Sequence, residues 1–147
     1  NVQGDEPMIP PEIIDRLAKA FEAESDLKMA TMKVLMREED YNNPAAVKVV
    51  TDNNGYALYF SRSLMPYPRN KTEHYKVYKH VGIYAYRRDF LLQYAALAPT
   101  ELEKTECLEQ LRVLVNGYKI KVLESDFQGI GVDTPEDLAA VNELLSK

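Results

Sequence analysis

Apolar and polar positions along the chain switch between helical and extended spacing, which predicts interleaved helices and strands. Ile13, Leu17 and Phe21 recur at helical spacing behind Pro10-Pro11, so a helix runs to about Ala23. The remaining predicted elements are strands at 28–36, 47–51, 56–60, 75–86 and 119–123, and helices at 88–97, 99–115 and after 134. This order predicts an α/β fold in three layers, with helices on both faces of a mixed sheet.

One segment gives a clear antiparallel signal in the middle of the chain. The β-rich runs 47–51 and 56–60 flank Asp52-Asn53-Asn54-Gly55, where glycine supplies the positive φ that a tight hairpin turn requires. The sheet is therefore predicted to be mixed rather than wholly parallel.

The segment 99–115 is predicted to be one amphipathic helix that Asn116-Gly117 ends. Its apolar stripe consists of Leu102, Leu108, Leu111 and Val115, and its polar side or edge carries Glu106, Glu109, Gln110 and Arg112. Cys107 is expected to be a small packed thiol rather than a catalytic one.

The length and composition are those of one globular unit. The 147 residues are 46% hydrophobic and 28% charged, which is enough for one core and an ordinary polar surface. A single cysteine excludes an internal disulfide and a cysteine-rich zinc site, and it favours a reducing compartment. No signal peptide or membrane span is recognised, so a cytoplasmic location is expected.

Charge is distributed unevenly along the chain. The formal net charge of -5 argues against broad binding to DNA or RNA. The stretch from Arg62 to Arg88 nevertheless holds seven cations and one acid, which leaves 11 cations against 22 acids elsewhere. Such a basic stretch is suited to a small anionic ligand, and the alternative of a solvated strand edge protected by lysines is equally open.

Two aspartates each follow a short apolar run and precede a turn into a helix. Asn1 to Pro7 reads as the end of a buried strand that breaks into a turn carrying Asp5, and Asp133 follows Gly131-Val132. Both are expected at one edge of the sheet, where carboxylates hold Mg²⁺ and helix N-termini attract phosphate. From the residues alone, a helix cap at Asp133 and a turn residue at Asp5 are the favoured alternatives.

Five dispersed blocks occur in an order that resembles the 3-deoxy-manno-octulosonate cytidylyltransferase (CMP-Kdo synthetase) family. They are NVQGDEP at 1–7, FSR at 60–62, HVGIYAY at 80–86, LEQLR at 108–112 and GVDTPEDL at 131–138. The resemblance runs over the whole chain and implies a nucleotide-diphospho-sugar transferase-like fold. The glycine-containing basic loop with which this family grips CTP has no counterpart here. We therefore expect residues 1–147 to be the C-terminal part of a single cytidylyltransferase domain, with the N-terminal part absent.

The resemblance also implies an activity and a set of site residues. The family makes CMP-Kdo and pyrophosphate from CTP and the eight-carbon sugar acid Kdo, for lipopolysaccharide or capsule, and its partners include a second copy in a homodimer but no nucleic acid or membrane. Asp5 and Asp133 correspond to the Mg²⁺ ligands and, with Arg62, to the catalytic residues. The implied substrate-binding residues are Gln3, Arg62, Arg69, His80, Tyr84, Glu109 and Gln110.

The expected chemistry needs no covalent enzyme nucleophile. A sugar hydroxyl attacks the α-phosphorus of the nucleotide, and the obstacle is repulsion between a carboxylate-bearing sugar and a polyanion. A metal ion and arginines lower that repulsion and align the attack. Two alternatives stay open: a cytidylyltransferase for a related acid such as sialic acid or amino-Kdo, and a non-catalytic fragment that binds a sugar or mediates dimerisation.

Overall fold

A computed structural model describes residues 1–4, 7–70, 75–127, 132 and 134–146, with the backbone alone at position 137. The helices are α1 (Pro11–Ala23), α2 (Arg88–Ala95), α3 (Glu101–Glu106), α4 (Leu111–Val115) and α5 (Pro135–Leu145), with a short 3₁₀ turn at Glu38–Asp40. The strands are β1 (Met29–Leu35), β2 (Lys48–Thr51), β3 (Ala57–Ser61), β4 (Tyr78–Tyr86) and β5 (Lys121–Ser125).

The five strands form one sheet in the order β3-β2-β4-β1-β5. β1 runs parallel to β5 and antiparallel to β4, while β2 is antiparallel to both β3 and β4. The predicted mixed sheet is therefore confirmed. Between Thr31 and Met32 the pairing of β1 with β4 shifts register, which marks a β-bulge in β4.

Helices cover both faces of this sheet, as the three-layer prediction requires. On one face Ile13 and Leu17 of α1 pack with Val81 and Ile83 of β4 in a buried apolar cluster. On the other face Phe90, Leu111 and Val113 pack in a second cluster, together with Met29, Val49, Phe60, Leu108, Ile120 and Val122. Because side chains alternate along a strand, one face of β4 packs into the cluster around α1, while the side chains of the other face point away from that cluster.

The predicted hairpin between β2 and β3 is confirmed. The Asp52 carboxylate accepts hydrogen bonds from the backbone N–H groups of Asn54 and Tyr56, at 2.9 and 2.8 Å. Gly55 has a φ of 79°, where a Cβ would be strained. The turn chemistry of the sequence thus fixes the register in which Val49 pairs with Phe60.

The single helix predicted over 99–115 is wrong, because the segment breaks into α3 and α4. Cys107 ends α3 with a φ of 52°, a left-handed conformation that no helix interior contains. The break turns Glu103 inward, where its carboxylate forms an ion pair with Arg112 and closes a capping box with Thr100. These interactions compensate the helical hydrogen bonds that the break removes.

Other boundaries and burials also differ from the prediction. β4 begins at Tyr78 rather than at 75, and β5 lies two residues later than expected. Val2 pairs with Ile83 through one isolated bridge and is 51% exposed, so the strand expected to be buried at 1–7 is exposed where the structure describes it. In the described part of the chain, no helix combines the length and apolar character that crossing a membrane requires.

Candidate active site

A cavity of about 630 Å³ opens on the face of β4 that lies opposite α1. Residues from β4, from the first residues of the chain, from α2 and from the turn between α3 and α4 line it. They are Asn1, Gln3, Met29, Ala45, Val47, Arg62, Lys79, His80, Gly82, Tyr84, Tyr86, Tyr94, Cys107, Leu108, Glu109 and Gln110. The cavity therefore draws together segments that lie far apart in the sequence.

The absence of a side chain at Gly82 of β4 makes room for Gln3 at the cavity wall. Asn1 and Tyr84 pair through their backbones at 3.0 Å, which lays the first residues of the chain beside β4. A Cβ at Gly82 would overlap Oε1 of Gln3 and would lie 3.1 Å from its Cδ. Glycine at position 82 thus allows the Gln3 amide to lie against the strand.

His80 is a buried, neutral member of the cavity wall. Its ring lies between Phe60, at an edge-on centroid distance of 5.1 Å, and Tyr84, at 5.3 Å. Burial lowers the pKa of His80 to about 3, and the charge of Lys79 acts in the same direction. Nε2 lies 3.0 Å from Oγ1 of Thr31, a buried residue of β1.

Three tyrosines form a stacked aromatic row along the cavity. Tyr84 stacks on Tyr86 at 6.0 Å between centroids, and Tyr86 stacks on Tyr94 of α2 at 6.2 Å. Burial raises the pKa of each phenol and is the largest cause for all three, and the charge of Glu109 acts in the same direction. Neighbouring phenols raise the pKa of Tyr84 and Tyr86 further, while Arg112 opposes the rise at Tyr94. All three therefore remain hydrogen-bond donors at neutral pH.

The turn at 107–110 presents two polar side chains to the cavity. The Tyr94 hydroxyl donates to the carbonyl oxygen of Glu109 at 3.1 Å and so holds the turn against α2. Gln110 is only 5% exposed, and its Nε2 finds no hydrogen-bond partner among the residues that the structure describes. The expectation that Gln110 lies on a polar side or edge is therefore wrong. The expectation that Cys107 is a packed thiol is also wrong, because Cys107 is exposed at the cavity.

Arg62 is held at the cavity rim by bonds to both its side chain and its backbone. Its guanidinium donates to the carbonyl oxygens of Glu106, Pro44 and Cys107 at 2.8, 2.9 and 3.4 Å. Its backbone N–H donates to the Glu106 carboxylate at 2.9 Å, and its carbonyl accepts from Nζ of the buried Lys48 at 3.1 Å. Three of the five guanidinium N–H groups thus form hydrogen bonds to the backbone, and two remain available to a ligand.

The cavity lining is suited to an anionic ligand that carries hydroxyl groups. Arg62 and Lys79 contribute two positive charges, and Glu109 contributes one negative charge that can accept from a hydroxyl. Arg62 and Gln110 supply donors for carboxylate or hydroxyl oxygens. Tyr84, Tyr86 and Tyr94 supply aromatic surface to the lining, with their ring faces stacked on one another.

The structure brings together six of the residues that the sequence marks as candidates. They are Gln3, Arg62, His80, Tyr84, Glu109 and Gln110. Arg69, which is exposed, lies outside the cavity lining. Asp5 and Asp133, the predicted Mg²⁺ ligands, lie outside the described residues. Within the part of the chain that the structure describes, no three His, Cys, Asp or Glu side chains cluster closely enough to hold a metal ion.

Sequence reasoning did not assign ten of the sixteen lining residues to a site, among them Lys79, Gly82, Tyr86 and Tyr94, and two of these four carried a usable signal. Gly82 and Tyr86 lie at period-two spacing from His80 and Tyr84, so alternation along β4 places all four on one face. Lys79 was counted only as part of the basic stretch. Tyr94 reaches the cavity from α2, and no local pattern in the sequence indicates that packing.

Comparisons with known proteins agree with the resemblance stated above. A family model described as Cytidylyltransferase matches residues 1–120. The chain is 53% identical to the 3-deoxy-manno-octulosonate cytidylyltransferase of Geotalea uraniireducens over 158 positions, which cover 100% of this chain and 63% of that protein. It is 55% identical to the enzyme of the same name from Fusobacterium nucleatum, over 96% of this chain and 58% of that protein.

A solved structure supports the fold directly. The structure of a CMP:2-keto-3-deoxy-manno-octonic acid synthetase complexed with CTP superposes with a TM-score of 0.94 at 44% identity. The match covers 99% of this chain and 60% of that protein, so the predicted fold class is confirmed. The chain spans about three-fifths of the length of the curated relatives that it matches.

Proposed function

This chain belongs to the cytidylyltransferase family, and from that premise we propose that the polypeptide containing it activates Kdo with CTP. The products are CMP-Kdo and pyrophosphate. The relatives with which it shares about half of its residues carry the name 3-deoxy-manno-octulosonate cytidylyltransferase, and this likeness supports the choice of sugar acid and nucleotide.

The observation that carries the proposal is the buried amide of Gln110. An N–H group without a partner in a buried place costs about 1–3 kcal/mol, so such groups are seldom retained without a use. Gln110 lines the cavity beside Glu109, and because its Nε2 is itself buried, a turn of the side chain toward the cavity would bring this N–H group to the acceptor oxygens of a ligand. A polyhydroxylated acid provides acceptors for this amide and donors for the Glu109 carboxylate.

The proposed reaction is a displacement at phosphorus. A hydroxyl oxygen of the sugar acid bonds to the α-phosphorus of CTP and its proton passes to solvent, while the bond from that phosphorus to the bridging oxygen breaks and releases pyrophosphate. Arg62 and Lys79 lower the repulsion between the sugar carboxylate and the nucleotide. The aromatic row and the polar wall hold the sugar in one orientation, which aligns the attack.

We also propose that the reaction depends on Mg²⁺, which would neutralise the phosphates of the nucleotide. The support is the resemblance, which assigns Asp5 and Asp133 as its ligands. A titration of activity against Mg²⁺, with EDTA as the blank, tests this dependence. Activity that survives EDTA would contradict it.

The test of the proposed function is pyrophosphate release by the natural polypeptide that contains this chain. CTP and Mg²⁺ are supplied with Kdo, sialic acid or amino-Kdo in separate reactions, and ATP and UTP replace CTP as controls. We expect kcat/KM to be highest for CTP with Kdo. Preference for another acid would reassign the sugar, and the lack of turnover with every acid would favour the non-catalytic alternative.

Two further predictions from the resemblance are proposals of the same kind. We propose that residues 1–147 taken alone show no turnover, because these residues contain no glycine-rich basic loop placed to cradle a triphosphate. We also propose a homodimer. Pyrophosphate release measured beside the natural polypeptide tests the first, and light scattering after gel filtration tests the second.

A further inference from the structure

Thr31 lies at the β-bulge of β4, where it contacts both the strand backbone and the ring of His80. It is fully buried in β1, at the position where the register with β4 shifts. Oγ1 of Thr31 lies 2.7 Å from the carbonyl oxygen of Ile83, 3.2 Å from that of Val81 and 3.0 Å from Nε2 of His80. Three polar atoms thus compete for one hydroxyl group.

The proton positions follow from what each atom can do. A hydroxyl has one proton to donate, and a carbonyl oxygen can only accept. Without the Thr31 proton between them, two oxygens 2.7 Å apart would repel each other, so the hydroxyl donates to the Ile83 carbonyl. Oγ1 can then only accept from His80, which requires a proton on Nε2.

This arrangement fixes the tautomer of His80. With the proton on Nε2, the other ring nitrogen, Nδ1, carries a free lone pair and acts as an acceptor. Burial keeps the ring uncharged at neutral pH, because its pKa is lowered to about 3. Phe60 and Tyr84 pack on the ring and restrain its rotation.

We propose that Thr31 is a positioning residue that holds His80 in the Nε2–H tautomer, so that Nδ1 accepts a hydrogen bond from a hydroxyl group of the bound sugar acid. The part that concerns the sugar rests on the function proposed above. His80 then binds and orients a hydroxyl as a hydrogen-bond acceptor. The β-bulge is the source of this selection, because it supplies the carbonyl that takes the Thr31 proton.

The direct test is ¹⁵N NMR of the histidine rings in the natural polypeptide that contains this chain, labelled selectively at histidine. The spectrum of a His80→Gln variant identifies the His80 signals by their loss. At pH 7 and without substrate we expect a protonated, pyrrole-type Nε2 and an unprotonated, pyridine-type Nδ1. The opposite tautomer in the unsubstituted protein would overturn the proposal, whatever its activity.

Two substitutions at position 31 separate positioning from packing. Thr31→Val keeps the volume and removes the hydroxyl, so we expect a changed or mixed tautomer and a rise of about tenfold in the KM for Kdo, with kcat changed less than about threefold. Thr31→Ser keeps the hydroxyl and should therefore retain the His80 tautomer and the KM for Kdo of the unsubstituted protein.

These outcomes distinguish a failure of the role proposed for Thr31 from a failure of the proposed function. If no acid is turned over but the Nε2–H tautomer is present and Thr31→Val alters it, the tautomer assignment stands and the proposed function fails. If Thr31→Val leaves the tautomer of His80 unchanged, the positioning role is wrong. If the valine variant fails to fold, the spectra of the unsubstituted protein and of Thr31→Ser still test the proposal. A change of the His80 tautomer in the serine variant would also contradict it.

Discussion

The two faces of β4 have different roles, although they belong to one strand of nine residues. Val81 and Ile83 point toward α1 and are 5% and 2% exposed, in a cluster made of apolar side chains. His80, Tyr84 and Tyr86 point the other way, into a cavity that also contains charged and amide groups. The difference shows that alternation along a strand lets one segment anchor the fold and present a site at once. Substitutions on the two faces should therefore separate stability from activity.

The largest effect is expected on the α1 face. Ile83→Ala removes buried methyl and methylene groups from the cluster around α1 and leaves a void, so the free energy of unfolding should fall by about 2–5 kcal/mol. The matched variant Ile83→Val should cost only about 0.5–1.5 kcal/mol. Urea denaturation measures both. A KM for Kdo that rises more than threefold in Ile83→Ala, in the folded fraction, would break the proposed separation between the faces.

On the cavity face, Gln110→Leu should lower activity without lowering stability. The substitution removes the buried Nε2 that has no partner in the described part of the chain, so the free energy of unfolding should stay level or rise. The loss of a ligand contact should reduce kcat/KM for Kdo by about 10- to 100-fold. Gln93→Leu, at an exposed glutamine of α2 outside the cavity, is the control and should leave kcat/KM unchanged. Normal activity in Gln110→Leu would remove the main support for the proposed site.

The pH dependence of stability also separates the two faces of β4, because His80 is a buried titratable group on the cavity face. Its pKa is near 6.5 when unfolded and is lowered to about 3 in the fold, so the unfolded chain binds the extra proton below pH 6.5. The stabilisation is complete above about pH 6.5 and is lost as the pH falls toward 3. Relative to His80→Gln, the free energy of unfolding should fall by up to about 1.4 kcal/mol per pH unit between pH 6 and 5. Parallel pH profiles for the two proteins would show that His80 titrates normally.

The smallest effect is expected at Gly82, which acts through its neighbour. Gly82→Ala pushes the Gln3 amide away from the strand, so the KM for Kdo should rise about threefold while stability changes little. The same substitution in a Gln3→Ala background should have no further effect, because the displaced group is already gone. Additive effects in this double-mutant cycle would show that Gly82 has a role of its own.

Local patterns in the sequence predicted most of the sheet. The Asp52 to Gly55 turn and the alternation of β4 fix a hairpin and a strand without reference to distant residues. The broken helix at Cys107 could not be predicted in this way. Its left-handed conformation occurs together with the Glu103–Arg112 pair, whose residues are nine apart, and with the bonds that Arg62 donates to Glu106 and Cys107. The bonds from Arg62 join segments 44 and 45 residues apart, which no local pattern indicates.

The site shows the same division between local and long-range information. The resemblance named Gln3, His80 and Gln110, and these residues meet in one cavity. The resemblance did not indicate that Thr31, from a neighbouring strand, would determine the hydrogen bonds of His80. That contact arises from a β-bulge, and a bulge is set by the pairing of two strands rather than by either alone.

A crystal structure of the natural polypeptide that contains this chain, grown with Kdo and a non-hydrolysable analogue of CTP, would show where the sugar acid binds. We predict that the sugar acid occupies the cavity beside β4, with oxygen atoms within hydrogen-bond distance of Gln110 Nε2 and His80 Nδ1. A sugar acid bound elsewhere, with Gln110 Nε2 still unpartnered, would contradict the assignment of this face of β4 as the binding site.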